Sequence, residues 1–281
     1  MLVFHHNDAD GRCAAAIVKR WHEQNSEAHH NERIVFQEMD YKDPVNFALI
    51  EEETVVVVDF SLKPDDMNRV CDLARFVVWC DHHATAKDYN YNVLGLRDFT
   101  EKGLSGCELT WRYFFPDDEI PYGILLLGDY DAWRLETAPL CFRFYEGLKL
   151  EDQRPQSLLW QGIIESQDYV NRIMERGLAA IKYRDNYCRE LRHAFGYETT
   201  IAGNRAYALN AFRFGSGGHG EKFKEYPVCI AYIHDGTRFT VSLYSETVDV
   251  GAIAKSFGGG GHKGAAGFVC EHLPFYKEGG A

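Results

Sequence analysis

Asp81-His82-His83 follows directly on the apolar run Phe76-Val77-Val78-Trp79-Cys80. An aspartate and two histidines at the end of a buried strand have little structural use. Burying them is costly unless a metal ion or hydrogen bonds compensate. Three more apolar runs end the same way: Leu2-Val3-Phe4-His5 enters His6-Asn7-Asp8-Ala9-Asp10-Gly11, Val55–Val58 ends at Asp59, and Ile124–Gly128 ends at Asp129-Tyr130-Asp131. Each cluster alone has a plain reading; His6–Gly11, for instance, could be an Asx-rich turn that caps a helix at Arg12. Four together read as a metal site.

Ligand chemistry narrows the metal. Carboxylate and imidazole without thiolate favour manganese or magnesium, then iron or cobalt, over structural zinc. The ligands suffice for two ions. A pair roughly 3.5–4 Å apart can generate hydroxide and clamp both oxygens of an in-line phosphoryl displacement.

A second centre is Gly258-Gly259-Gly260-Gly261-His262-Lys263-Gly264-Ala265-Ala266-Gly267. Positions 259, 261 and 264 match G-x-G-x-x-G, but the dinucleotide fingerprint needs a strand before it and a helix after it. Here a helix-like stretch precedes and a strand-like one follows. What survives is a loop whose backbone N–H groups can approach a phosphate, with His262 as a further donor. Other candidates read more blandly. Ser105 is a helix cap, and His22, His29 and His30 are solvated. Trp111, Tyr113, Phe114 and Phe115 are core. Arg134 could touch a substrate phosphate or form a surface ion pair.

These residues need elements to position them. In the first 135 residues strand-like and helix-like patterns alternate: strand Leu2–His6, helix Arg12–Gln24, strand 34–37, short helix 44–50, strand 54–60, helix 64–74 and strand Phe76–Cys80. This alternation predicts an α/β fold with a mostly parallel sheet and helices on both faces. Ligands of such sheets bind at the carboxyl ends of the strands, where the polar clusters lie. Asp59 and Asp81 are a helix plus a strand apart, so adjacent strand ends are expected. Ser105-Gly-Cys-Glu108 has capping-box spacing and opens a helix. A long helix over about 165–195 should join this part, residues 1–190, to a smaller α+β domain over 197–281.

The chain has 281 residues and a formal net charge of −12. Residues 197–281 hold eight basic and eight acidic residues, so the whole excess lies in residues 1–196. An acidic surface counts against a long duplex partner and suits a small anionic substrate beside bound cations. Eight scattered cysteines with no C-x-x-C pair and no signal-peptide pattern suggest a reduced, cytoplasmic protein. No stretch is long and apolar enough for a membrane span.

The motifs resemble, in order, those of the DHH phosphoesterase family: His6-Asn-Asp8-Ala-Asp10-Gly11, Asp59, Asp81-His82-His83, Asp129, and Gly259-Gly260-Gly261-His262 with Ala265-Ala266-Gly267. The last is similar to the GGGH-x-x-AAG motif of the DHH-associated C-terminal domain. The resemblance implies hydrolysis of phosphate esters with two manganese ions, or magnesium or cobalt in their place, in a cleft between two domains. It implies His6, Asp8, Asp10, Asp59, His82 and Asp129 as metal ligands, with Asp59 bridging. His83 would contact phosphate or protonate the leaving group, and Asp81 would orient its neighbours. Gly259, Gly260, Gly261, His262 and Lys263 would hold substrate.

Two features depart from the pattern. Ser242-Leu243-Tyr244-Ser245 has tyrosine where many members carry a phosphate-clamping arginine. The fourth motif also offers both Asp129 and Asp131, of which the first aligns better. The compact two-domain form looks like enzymes that degrade very short RNA and dephosphorylate nucleoside bisphosphates, so short oligonucleotides are the expected substrate and a homodimer is compatible. Linear or cyclic dinucleotides, polyphosphate or pyrophosphate, and a non-catalytic nucleotide sensor are the alternatives.

Overall fold

Valine-rich runs build the first sheet. A computed structural model describes residues 1–25, 33–134 and 137–277. In it β1 (Leu2–His6), β2 (Val35–Met39), β3 (Thr54–Val58) and β4 (Phe76–Cys80) form an all-parallel sheet in the order β2-β1-β3-β4. Successive side chains alternate between two buried faces. Val3, Val56, Val58, Val78 and Cys80 enter one core, and Leu2, Phe4, Val55, Val57, Val77 and Trp79 the other. Parallel strands covered on both sides need such continuous apolar runs.

Helices supply the cover. α1 (Ala9–Gln24) and α2 (Pro64–Leu73) pack in the first and second cores respectively. α1 starts three residues before Arg12, because Asp8 is the cap and accepts from the Gly11 amide at 2.9 Å. α3 (Gly106–Phe114) opens on the expected capping box of Ser105 and Glu108. Next come α4 (Tyr122–Asp131), α5 (Leu140–Leu148), α6 (Leu158–Glu165) and the 29-residue α7 (Gln167–Phe195). Over residues 44–50 there is only a 3-10 turn, Phe47–Leu49.

The chain forms two compact units, Met1–Ala179 and Ala180–Ala281. The division falls inside α7, where the sequence pattern alone changes only near 190–200. In the second unit the order is β5 (Tyr197–Ile201), β6 (Asn204–Asn210), α8 (Lys222–Glu225), β7 (Val228–His234), β8 (Phe239–Tyr244), α9 (Val250–Ser256), β9 (Gly260–Gly261) and β10 (Ala265–Cys270). These strands form one mixed sheet, β5-β6-β7-β8-β10-β9, parallel only between β6 and β7. α9 covers it through Val250, Ile253 and Ala254.

Candidate metal centre

Strand register brings the motifs together. His5 pairs with Val58, and Val58 with Cys80. His6, Asp59 and Asp81 therefore emerge side by side at the carboxyl edge. Asp59 turns out of β3 with φ +51°, a left-handed conformation that aspartate tolerates better than most residues. Two glycines make room. A Cβ on Gly106 would lie 2.4 Å from Asp59 Cβ, and one on Gly11 would lie 2.6 Å from the His6 carbonyl oxygen.

Three overlapping groups of potential ligand atoms result: His6, Asp8 and Asp59; Asp59, His82 and His83; and Asp10, His82 and Asp131. Asp59 and His82 each belong to two of them. His6 Nδ1 lies 2.8 Å from Asp8 Oδ2 and 3.8 Å from Asp59 Oδ2. His82 Nε2 lies 3.1 Å from Asp59 Oδ1, 3.2 Å from Asp131 Oδ2 and 3.9 Å from Asp10 Oδ2.

These approaches are not hydrogen bonds. His6 Nδ1, both Asp59 carboxylate oxygens and His82 Nε2 are buried with no hydrogen-bond partner. Four such atoms at one point are costly, and a divalent cation would satisfy all of them. The donor set, oxygen and imidazole without sulfur, fits manganese, magnesium or cobalt.

The other members of the motifs are held in place. Asp10 accepts from Ser105 Oγ at 3.0 Å and from the Gly106 and Cys107 amides at 2.7 and 3.2 Å. The amino end of α3 thus stabilises its charge. Asp81 is fully buried; it accepts from Ser61 Oγ and the His83 amide, and its Oδ1 lies 2.7 Å from His83 Nδ1. Burial alone would raise the Asp81 carboxyl, but the bonds from His83 and Ser61 hold it below the ordinary range. Burial pulls the His83 ring down, and Asp81 outweighs that and leaves it raised. Burial, reinforced by the charges of Asp10, Asp8, Asp131 and Asp81, pushes Asp59 well up. A cation would reverse that last effect.

Two expected site residues lie elsewhere. The run 124–128 is part of helix α4, so Asp129 and Asp131, two positions apart, face different sides. Asp131 joins the ligand cluster. Asp129 instead accepts from Arg134 Nε at 3.0 Å and Thr137 Oγ at 2.7 Å. Arg134 is taken up by the same network. It also donates to both Glu108 oxygens, at 2.9 and 2.8 Å, and to the Gly103 carbonyl. This network ties α3 to α4.

Around the cluster stand groups that sequence reasoning did not single out. Tyr41 lies 5.8 Å from the His6 ring and 6.1 Å from the His83 ring, and Phe60 lies 6.0 Å from His6. Ser61 and Ser105 orient the acids, and only the capping-box spacing of Ser105 signalled either. His22 is buried, not solvated; His29 and His30 fall outside the described residues. Trp111 and Phe115 are core, and Tyr113 and Phe114 pack against it.

In the second unit the glycine motif follows α9 and leads into β10, the reverse of the dinucleotide order. It is a tight hairpin closed by bonds between His262 and Ala265. The amides of Gly258, Gly259 and His262 are committed to the carbonyls of Lys255, Ala254 and Ala265. The side chains of His262 and Lys263 are exposed. Tyr244 packs against the cluster of Tyr207, Tyr226 and Cys229.

Residues 1–127 match the family model described as DHH family, N-terminal domain, so this part of the chain is similar to that domain. An uncharacterized protein of Acanthamoeba polyphaga mimivirus is 27% identical over 260 residues, 84% of this chain and 60% of its own length. The chain thus spans less than two thirds of that relative. Among solved structures, the DHH domain of a member of the s1p family of ribosomal proteins superposes with a TM-score of 0.58 at 13% identity, covering 96% of this chain and 82% of its own. A pGpG-specific phosphodiesterase of Vibrio cholerae gives 0.52 at 13% identity, with 96% and 92% covered. Exonuclease RecJ bound to manganese gives 0.51 at 15%, with 96% and 85% covered. At these identities the structural matches establish the fold. Among the described residues no helix is long and apolar enough to cross a membrane.

Proposed function

We propose that this chain is a metal-dependent phosphoesterase that hydrolyses the phosphodiester bonds of short oligonucleotides to mononucleotides, with manganese as its working metal. The observation that carries the reading is the set of buried, hydrogen-bond-free atoms of His6, Asp59 and His82 gathered at the strand ends. His6, Asp8, Asp10, Asp59, His82 and Asp131 would hold two ions, with Asp59 common to both. When bound, such a pair lowers the pKa of water and neutralises charge on a phosphate.

The protein's own residues do the rest. Asp81 fixes the His83 ring through Nδ1 and leaves Nε2 for the phosphate or the leaving oxygen. The amino end of α3 and Ser105 hold Asp10 in place. In the second unit His262 and Lys263 are the exposed groups suited to a second phosphate. The whole net negative charge lies in the first 196 residues, which favours substrates of about two to five nucleotides over long strands.

Incubation with manganese and a panel of dinucleotide, longer oligomers, cyclic dinucleotide, nucleoside 3′,5′-bisphosphate and pyrophosphate tests the proposal. Dinucleotide and short oligomers should be the best substrates, with weak dependence on monovalent salt. Equal turnover of a long single strand would contradict the short-substrate reading, and no phosphodiester turnover at all would contradict the enzyme.

A further inference from the structure

The second unit carries a hollow of about 450 Å³ that the metal centre does not explain. Its walls come from α7, through Tyr183 and Tyr187, and from the segment after β6, through Phe212 and Phe214. These rings are not buried as core residues are: Tyr183 is 73% exposed, Tyr187 48% and Phe212 53%. Tyr183 and Tyr187 lie near parallel, with centroids 6.4 Å apart, and Phe214 lies 5.8 Å from Tyr187. The hollow opens at the carboxyl ends of the parallel pair β6 and β7, marked by Asn210 and Ile233. The glycine hairpin joins β9 to β10 at the β9 edge of the sheet, with β8 between it and β7.

Polar groups accompany the rings. Arg213 places its guanidinium over the Phe212 ring, 5.3 Å from the centroid, and no carboxylate pairs with it among the described residues. The side-chain amide of Asn210 likewise makes no hydrogen bond among the described residues and lines the hollow.

We propose that this hollow binds an unstacked nucleobase of a single-stranded nucleotide, with Arg213 meeting its phosphate and Asn210 its hydrogen-bonding edge. Flat exposed aromatic faces suit bases of any sequence, and an arginine beside them suits the phosphate. A second copy of the chain fits less well. Eight residues line the hollow, whereas a stable interface engages roughly 20–30 on each side. Arg213, stacked on Phe212, would also be costly to bury against a copy of itself. The proposal deepens the oligonucleotide reading above and rests on it for the identity of the ligand class.

The test uses the full chain and a trinucleotide bearing 2-aminopurine. In EDTA, which prevents turnover, stacking in the hollow should quench the 2-aminopurine fluorescence. The double variant Tyr187→Ala/Phe212→Ala should weaken binding roughly five- to a hundredfold, as loss of stacking does, and abolish the quench. Arg213→Gln should weaken binding to a smaller extent and keep the quench. All three substituted side chains are exposed, so the fold should persist. In manganese the variants should hydrolyse bis(p-nitrophenyl) phosphate, which has no base, at the wild-type rate. Unchanged trinucleotide binding in the double variant would overturn the proposal. So would a wild-type dimer in sedimentation that the double variant turns into monomer, since a second copy would then occupy the hollow. Loss of bis(p-nitrophenyl) phosphate turnover in the wild type would instead count against the phosphoesterase reading and leave the EDTA result to be judged separately.

Discussion

Asp59 Oδ1 and His82 Nε2 stand 3.1 Å apart at the ends of adjacent parallel strands, both buried and neither in a hydrogen bond. Nothing in the fold requires that arrangement, and without a cation it stores unfavourable burial. Asp59 is the more exposed to this logic, because four other carboxylates raise its pKa on top of burial.

Asp59→Asn should therefore abolish activity and stabilise the metal-free protein at once. Asparagine accepts the left-handed backbone of this position and removes one crowded charge. In EDTA the melting temperature should rise by about 2–4 °C, while turnover in saturating manganese falls below a tenth of wild type. Melting curves with and without EDTA, alongside rates, check both halves. A variant that melts lower in EDTA would contradict the account of burial.

Asp129 and Asp131 should separate by phenotype. Asp131→Asn should weaken manganese binding in isothermal titration and leave stability near wild type. Asp129→Asn should do the reverse, because it removes the charge that pairs with Arg134 and forces the Thr137 bond to change direction. Its cost should be roughly 1–3 kcal/mol in urea unfolding, with manganese affinity unchanged.

These two residues mark the limit of what the sequence discloses. The strand ends at His6, Asp59 and Asp81 were legible because valine runs buried on both faces leave few other readings. The run Ile124–Gly128 is apolar on all sides, so its period does not separate strand from helix, and the choice of fourth acid depends on that. The capping box at Ser105 was legible, but not that its hydroxyl and the next amide hold Asp10, 95 and 96 positions away. In sequence Arg134 suits a substrate phosphate or an ion pair equally, and its partners Glu108 and Gly103 lie 26 and 31 positions away. β5 is hard to read from sequence because Tyr197-Glu-Thr-Thr-Ile201 is short and largely polar.

Gly106→Ala should damage the centre without touching a ligand. The added methyl would meet Asp59 Cβ at 2.4 Å, so either α3 or Asp59 must shift. A stability loss of about 1–3 kcal/mol should accompany a larger loss of manganese affinity. Wild-type affinity in this variant would mean that Asp59 is not held as described.

The second unit should weaken in acid. His219 is buried, and burial, followed by the charge of Arg192, lowers its pKa from 6.5 to about 4. Above pH 6.5 the ring is neutral whether folded or not, and its contribution is complete. As pH falls from about 6.5 to about 4 the unfolded chain takes up a proton that the folded unit refuses, so stability drops by up to about 3 kcal/mol. Hydrogen-exchange protection of the Ala206–Leu209 amides at pH 7 and pH 4.5 measures this. His219→Gln should reduce the difference between the two values, and an unchanged difference would assign it to other groups.

The central claim is that the buried acids and imidazoles at the strand ends hold divalent metal. Crystals grown with manganese and measured at its absorption edge test it directly. Anomalous peaks are expected within coordinating distance of Asp59, flanked by His6 and Asp8 on one side and by Asp10, His82 and Asp131 on the other. An anomalous map with no peak at Asp59, or with manganese at Asp129 instead, would contradict it.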